Sequence, residues 1–154
     1  MVDALVFRIG GQRCALRQIH FSSIDPLGQI TKIPSAPREI AGATPHRGQV
    51  TVVIDLGVLL GLASQRPKAG DSGILLSVGD YRVLLYVGQI EEICQVPSHT
   101  GEEGPTNKIT PYGSIVITAE GELLLLDPES IIRRIVQLMP TSVTPFAFGE
   151  ESTT

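Results

Sequence analysis

The stretch that decides the fold occurs twice in the chain. Residues 4–24 read ALVFRIGGQRCALRQIHFSSI and residues 73–93 read GILLSVGDYRVLLYVGQIEEI, and a shift of 69 residues lays one on the other without a gap. Apolar positions meet apolar positions in both copies, and Gly10 meets Gly79 between two β-rich runs. Because self-similarity at a fixed spacing marks a repeated structural unit, the sequence predicts an internal repeat built from strands.

Both copies of the repeat contain a hairpin signal. Gly10-Gly11 and Gly79-Asp80 each separate two apolar, strand-like runs, and these residue types adopt the positive φ angles of a tight turn. Further along, the strand-like run before Asp55 matches the run before Asp127 with small shifts. Each half therefore reads as strand, glycine turn, strand, loop, strand and Asp-capped helix. This order predicts two small β-barrels in one chain.

The remaining segments are assigned from propensity and turn residues. Residues 19–24 either extend the second strand or form one irregular turn, and residues 98–111 form the main internal loop because they mix glycine, proline and charge. The sequence DPE at 127–129 is a strong helix start, and the apolar spacing after it predicts a C-terminal helix that ends at Pro140. Residues 141–154 are predicted to be a flexible tail.

Composition excludes several classes of protein. Hydrophobic residues make up 42% and charged residues 18% of the chain, which excludes a disordered protein, and 16 glycines with 11 prolines are too many for a helix bundle. A net charge of −4 and 5% aromatic residues argue against nucleic acid or an anionic membrane as the partner. No export signal or bilayer-spanning apolar run is visible, which predicts a cytoplasmic protein without direct membrane insertion.

The sequence lacks the common motifs of phosphate binding, zinc binding and acyl transfer. Of the three histidines, His46 could join a catalytic set with Asp55 and a serine, but no motif places that serine, so we interpret His46 as an ordinary loop histidine. Asp55 is better explained as a helix cap, and Cys14 and Cys94 as buried thiols. We therefore predict no catalytic residue, no cofactor and no metal.

The ordered set of segments resembles the CheW family of chemotaxis coupling proteins over about residues 4–139. Residues 5–16 are similar to the family's opening hairpin, and the most specific segment is RGQVTVVIDL at residues 47–56. The second half keeps LLLDPE at residues 124–129. The resemblance implies an all-β fold of two five-stranded SH3-like barrels with short helices, including a C-terminal one. It also implies a single CheW-like domain of two intertwined barrels over residues 1–140.

The resemblance implies a non-enzymatic adaptor that couples methyl-accepting chemoreceptors to a CheA-type histidine kinase and is recruited to receptor arrays. The family binds the kinase's regulatory domain by barrel-to-barrel contact and holds receptor tip helices in the groove between its barrels. Arg47 and Gly48 match the Arg-Gly of the family's partner-binding surface. Gly42 matches another interaction position, and Phe21 matches an apolar residue near the receptor-facing edge. Turn geometry alone explains the two glycines equally well.

Several residues depart from the family's usual pattern. The family has Glu in place of Ser23 and Asn-Leu in place of Pro45-His46, and it has Gly and Asp in place of Leu84 and Gly88. These departures predict altered contacts and suggest a divergent adaptor, or one that docks only one partner. Another class stays open, namely a small-molecule-binding barrel or an enzyme with its site between the barrels. A large pocket holding His46 and Asp55 would indicate that class.

Overall fold

The computed structural model describes residues 1–62, 65–98 and 108–139, and this part of the chain contains eleven strands and two short helices. The strands are β1 (Val2–Ile9), β2 (Gln12–Arg17), β3 (Phe21–Pro26), β4 (Ile40–His46), β5 (Gln49–Asp55), β6 (Ser72–Val78), β7 (Tyr81–Tyr86), β8 (Gln89–Val96), β9 (Lys108–Thr110), β10 (Gly113–Thr118) and β11 (Gly121–Leu126). The helices are α1 (Leu56–Leu59) and α2 (Pro128–Leu138), and a 3₁₀ turn covers Gln18–His20. The protein is mostly β, as predicted.

The strands form two sheets, an arrangement consistent with two SH3-like barrels. A six-stranded sheet has the order β8-β1-β2-β11-β10-β9, and a five-stranded sheet has the order β3-β6-β7-β5-β4. The first sheet has one strand more than the resemblance implied because β9 lies inside the predicted loop of residues 98–111. In the second sheet, Thr31 and Ala43 exchange two backbone hydrogen bonds of 2.8 Å, which link the chain after β3 to edge strand β4.

Each half of the internal repeat contributes strands to both sheets. The β1–β2 hairpin pairs with β8 and β11 from later in the chain, whereas the β6–β7 hairpin pairs with the earlier β3 and β5. The registers match as well: Val53 pairs with Leu84 in one sheet, and their repeat equivalents Leu125 and Ala15 pair in the other. Each sheet therefore combines strands from both halves of the sequence.

The core has three parts. A large apolar cluster lies between the two sheets and includes the buried residues of α2. Each sheet also buries a smaller apolar cluster on its opposite face. Since alternate residues of a strand point to opposite faces, strands buried on both sides need continuous apolar runs. Leu123, Leu124, Leu125 and Leu126 form such a run, and all four are buried.

Two local features differ from the sequence-based expectations. Of the two alternatives for residues 19–24, the irregular turn is present in part, as the 3₁₀ turn Gln18–His20, and the chain then enters β3, which belongs to the other sheet and does not extend β2. Residues 40–46 form β4, which the sequence pattern did not predict because Gly42 and Pro45 both disfavour a strand. Pro45 is tolerated there because β4 lies at the edge of its sheet.

The predicted helix starts are confirmed. The Asp55 carboxylate accepts a hydrogen bond from the backbone N–H of Val58 at 3.4 Å, and that of Asp127 accepts one from Glu129 at 3.2 Å. Helix α2 begins at Pro128 and ends at Leu138. The predicted stop at Pro140 and the predicted tail of residues 141–154 lie outside the described residues. No helix within the described ranges is long and apolar enough to span a membrane.

Candidate partner-binding site

The turn between β4 and β5 presents Arg47 to solvent. Arg47 and Gly48 have φ angles of 52° and 80°, and His46 pairs with Gln49 across the turn. A two-residue hairpin turn with two positive φ angles is of type I′, which matches the twist of the flanking strands. The Arg47 side chain is 61% exposed. The exposed guanidinium therefore stands at the tip of a well-defined hairpin.

The guanidinium of Arg47 pairs with the carboxylate of Asp25 on β3. Arg47 Nη2 donates to Asp25 Oδ2 at 3.2 Å, and Ser23 Oγ donates to the same oxygen at 2.8 Å. The hydrogen bonds from His46 and Ser23 and the charge of Arg47 lower the pKa of Asp25. Asp25 is therefore an ionised acceptor that gathers donors from two edge strands and the turn.

His46 is not the loop histidine that the sequence suggested. It lies in β4 with 6% exposure, and its Nε2 is 2.8 Å from Asp25 Oδ2. On the other side of the ring, Nδ1 is 3.4 Å from Nη2 of Arg82 on β7. Arg82 also donates to the side-chain oxygen of Gln49. A connected set of polar side chains thus underlies the Arg47 turn.

His46 and Asp55 do not form one site. His46 pairs with the first residue of β5, whereas Asp55 is its last, which places them roughly 20 Å apart along the strand. Asp55 has no exposed surface, and burial raises its pKa. Its carboxylate is occupied by Arg66 at 2.8 Å and by the cap of α1. These two residues therefore offer no paired acid and base.

The two cysteines do not form a reactive centre. Cys14 is fully buried, and burial raises its pKa to about 12, so the nucleophilic thiolate does not form at neutral pH. Cys94 is half-buried, not buried as predicted, and burial followed by the charge of Glu92 raises its pKa. In the part of the chain that the structure covers, no three His, Cys, Asp or Glu side chains are grouped to hold a metal ion.

The other two predicted site residues lie away from the turn. Gly42 is buried with a φ of 149°, and a methyl group built on its Cα would lie 2.4 Å from the carbonyl oxygen of Thr31. Gly42 is thus needed where two backbones approach closely. Phe21 is half-buried at the start of β3 and packs against the large core cluster. The structure groups Arg47 with Gly48, and places Gly42 and Phe21 apart from them.

The departures from the family pattern have different surroundings. Leu84 is 1% exposed and packs inside the smaller cluster of the second sheet, so it cannot contact a partner directly. Gly88 has a φ of 76°, and a methyl group there would lie 3.0 Å from the Arg8 carbonyl oxygen. Ser23 and His46 both contact Asp25. Only these two departures belong to the site beneath Arg47.

A groove between α2 and the β6–β7 hairpin is the second candidate contact surface. It has a volume of about 370 Å³. Its apolar lining residues are Val78, Tyr81, Ile132 and Val136, and its polar ones are Glu129, Arg133 and Gln137. A groove with apolar and charged lining residues suits an amphipathic helix.

Sequence reasoning missed Asp25 and Arg82. Asp25 precedes Pro26, and such a pair is typical of a turn, although both residues belong to the end of β3. Arg82 falls on the same repeat position as Arg13, which lies 3.6 Å from Glu92 and is buried in the other sheet. The equivalence of Arg13 and Arg82 in the repeat could have predicted polar partners for Arg82, because a cation that is removed from water needs them.

Comparisons with known proteins agree with this architecture. The family model described as CheW-like domain matches residues 3–136. The crystal structure of the scaffolding protein TtCheW from Thermoanaerobacter tengcongensis has a TM-score of 0.68 and 23% sequence identity, and the match covers 82% of this chain and 88% of that chain. No curated protein matches the sequence significantly. At this identity the similarity to TtCheW shows the fold alone.

Proposed function

This chain belongs to the CheW-like domain family, and from that membership we propose that it is a non-enzymatic adaptor that couples chemoreceptors to a CheA-type histidine kinase by protein–protein contacts. The observation that carries the proposal is the exposed Arg47 at the tip of the β4–β5 hairpin, within the part of the chain that the family model matches. A guanidinium presented in this way can donate two hydrogen bonds to a partner's carboxylate or carbonyl oxygens.

Arg47 and Gly48 are proposed to contact the regulatory domain of the kinase. Gly48 faces open space, since a methyl group built on it would have no atom within 4 Å, so a partner's backbone can approach the turn closely. Gly42 is proposed to act by keeping β4 against Thr31, and Phe21 by supporting the start of β3. The protein would work in the cytoplasm and be recruited there to receptor arrays.

The groove beside α2 is proposed to hold the tip helices of a chemoreceptor. Its apolar residues can pack against the apolar face of an amphipathic helix, and Glu129 and Arg133, one turn apart on α2, can pair with charges along that helix. The contact would be specific through shape and rim charge, and its affinity would depend on the buried apolar residues. No small-molecule substrate or cofactor is part of this proposal.

The test is capture of named partners by the full chain. Tagged wild type, Arg47→Ala and Arg134→Ala are each incubated with native cytoplasm and membranes, and kinase and receptor are identified by mass spectrometry. Arg134 is an exposed arginine on α2 that does not line the groove itself, although it donates to Gln137 of the groove at 3.4 Å, and it controls kinase capture for loss of one charge. We expect wild type and Arg134→Ala to capture both partners and Arg47→Ala to lose the kinase. Capture of neither partner by wild type would contradict the proposal.

A further inference from the structure

The His46 ring bridges two side chains of opposite charge beneath the Arg47 turn. Its Nε2 is 2.8 Å from Oδ2 of Asp25, and its Nδ1 is 3.4 Å from Nη2 of Arg82, near the outer limit for a hydrogen bond. With 6% exposure, the ring has little access to water that could replace either contact. The orientation of the ring is therefore set by these two partners.

These partners fix one tautomer of His46. A guanidinium can only donate, so Nδ1, which faces Arg82, must accept. An ionised carboxylate can only accept, so Nε2, which faces Asp25, must carry the hydrogen. Both requirements select the neutral imidazole with its hydrogen on Nε2. A protonated ring would direct a second N–H at the Arg82 guanidinium.

The same carboxylate oxygen serves His46 and Arg47. Asp25 Oδ2 accepts from His46 Nε2 at 2.8 Å and from Arg47 Nη2 at 3.2 Å. Arg47 has a flexible side chain with 61% exposure, and Asp25 is its one partner among the described residues. Anything that fixes the Asp25 carboxylate therefore limits where the guanidinium can point.

We propose that His46 is a positioning residue for Arg47, acting through Asp25 in the neutral tautomer with its hydrogen on Nε2. The ring anchors the Asp25 carboxylate to β4 and so keeps the guanidinium in one orientation before a partner arrives. Preorganisation of this kind lowers the entropy lost on binding. The consequence for partner binding rests on the function proposed above, whereas the arrangement itself is a property of the free protein.

Two substitutions separate the two sides of the ring. In His46→Gln the amide nitrogen can take the place of Nε2 and donate to Asp25, but nothing accepts from Arg82 at the position of Nδ1. In His46→Asn the amide oxygen can take the place of Nδ1 and accept from Arg82, but no donor reaches Asp25. If His46 acts through Asp25, His46→Gln preserves its role and His46→Asn removes it.

The first measurement needs no partner. The Asp25 side-chain carbon is titrated by NMR in the wild-type chain and both variants, with thermal unfolding as a check of folding. We expect the pKa of Asp25 to be lower in His46→Gln than in His46→Asn, because the bond from His46 is the largest cause of its low value. The charge of His46 adds to the lowering in the wild type alone, so the two variants are compared with each other. Equal pKa values in the two variants would overturn the proposal.

The second measurement is affinity for the kinase regulatory domain, with Arg47→Ala alongside. We expect wild-type affinity for His46→Gln and about two- to tenfold weaker binding for His46→Asn. Wild-type binding by His46→Asn while Arg47→Ala weakens it would overturn the positioning role. If Arg47→Ala binds normally, the proposed site is wrong, and the Asp25 titration alone decides the present proposal.

A measurement on the unmodified chain covers the case in which a variant does not fold. Long-range ¹H–¹⁵N correlation spectra distinguish the protonated from the unprotonated ring nitrogen of a neutral histidine. For His46 at neutral pH we expect the hydrogen on Nε2. A hydrogen on Nδ1, or a ring that exchanges between both tautomers, would contradict the proposal.

Discussion

Nη1 of Arg66 lies 2.8 Å from Oδ2 of Asp55, a carboxylate without any exposed surface at the end of β5. The same nitrogen donates to the backbone carbonyl of Arg38 at 2.9 Å. Burial raises the pKa of Asp55, and the caps of α1 and the charge of Arg66 oppose that rise. The pair thus fixes the loop after α1 to the strand that carries the Arg47 turn at its other end.

Arg66→Ala is expected to lower the free energy of unfolding at pH 7 by about 1–3 kcal/mol, less than for a fully buried pair because Arg66 is 42% exposed. A carboxyl group whose pKa is higher in the folded than in the unfolded state stabilises the fold at low pH. This contribution is lost as pH rises from the unfolded pKa through the folded pKa. The substitution raises the pKa of Asp55 further, so the deficit should shrink at pH 4. Urea unfolding of both chains at the two pH values checks this, and an equal deficit at both would contradict it.

Gly42→Ala and Gly48→Ala form a matched pair. The new methyl group would lie 2.4 Å from the Thr31 carbonyl oxygen at position 42 but would meet no atom within 4 Å at position 48. We expect losses of about 2–4 kcal/mol for Gly42→Ala and about 1 kcal/mol for Gly48→Ala, the latter from its positive φ alone. Thermal unfolding measures both. A stable Gly42→Ala chain that fails to bind would show instead that Gly42 is a contact residue.

Leu84→Ala is expected to lower the free energy of unfolding by about 2–4 kcal/mol because it leaves a cavity in the smaller cluster of the second sheet. Val50→Ala is the control, since Val50 is 53% exposed, and should change stability by about 0.5 kcal/mol or less. Kinase binding by the folded Leu84→Ala chain should be unchanged. Weaker binding without a loss of stability would give Leu84 a role in the interface.

Ser23→Glu tests the departure closest to Arg47. Because Ser23 stands where the family has Glu, the wild-type chain is expected to bind its cognate kinase domain more tightly than the regulatory domain of an ordinary CheA. A glutamate at position 23 would add a second carboxylate beside Asp25 and should narrow that difference. Gly88→Asp, which would give the residue that the family has there, is not used because the φ of 76° at this position is strained for any side chain. Equal wild-type binding to both domains would make the departures neutral.

The fold could be predicted because the residues that match between the two copies of the repeat are largely those that the core buries. Leu84 and Ala15 occupy equivalent register positions, and both are buried, so their pattern survives in the sequence. Strand β4 could not be predicted, because Gly42 and Pro45 both disfavour a strand. Gly42 is present because Thr31 approaches its backbone closely, and Pro45 is tolerated because β4 is an edge strand. Both features depend on neighbours that are distant in the sequence.

The candidate site was predictable only in part. The resemblance points to Arg47 as a candidate contact residue, and the structure places its side chain, 61% exposed, at the hairpin tip. The contacts of Asp25 with His46 and Arg47 join β3 to β4, the two ends of the strand order in one sheet. Such contacts exist only once the sheet curves and its edges approach each other. No local pattern around Asp25 or His46 signals them.

The central claim is that the Arg47 turn is a binding surface for the kinase. Isothermal titration of the regulatory domain of the cognate CheA-type kinase into wild type, Arg47→Ala and Arg134→Ala tests it most directly. Alanine has the same backbone restriction as arginine at a φ of 52°, so the substitution removes the guanidinium and leaves the turn unchanged. We predict that Arg47→Ala folds normally and binds about 1–3 kcal/mol more weakly while Arg134→Ala binds as wild type. Equal affinities for all three chains, or an Arg47→Ala chain that unfolds, would contradict the claim.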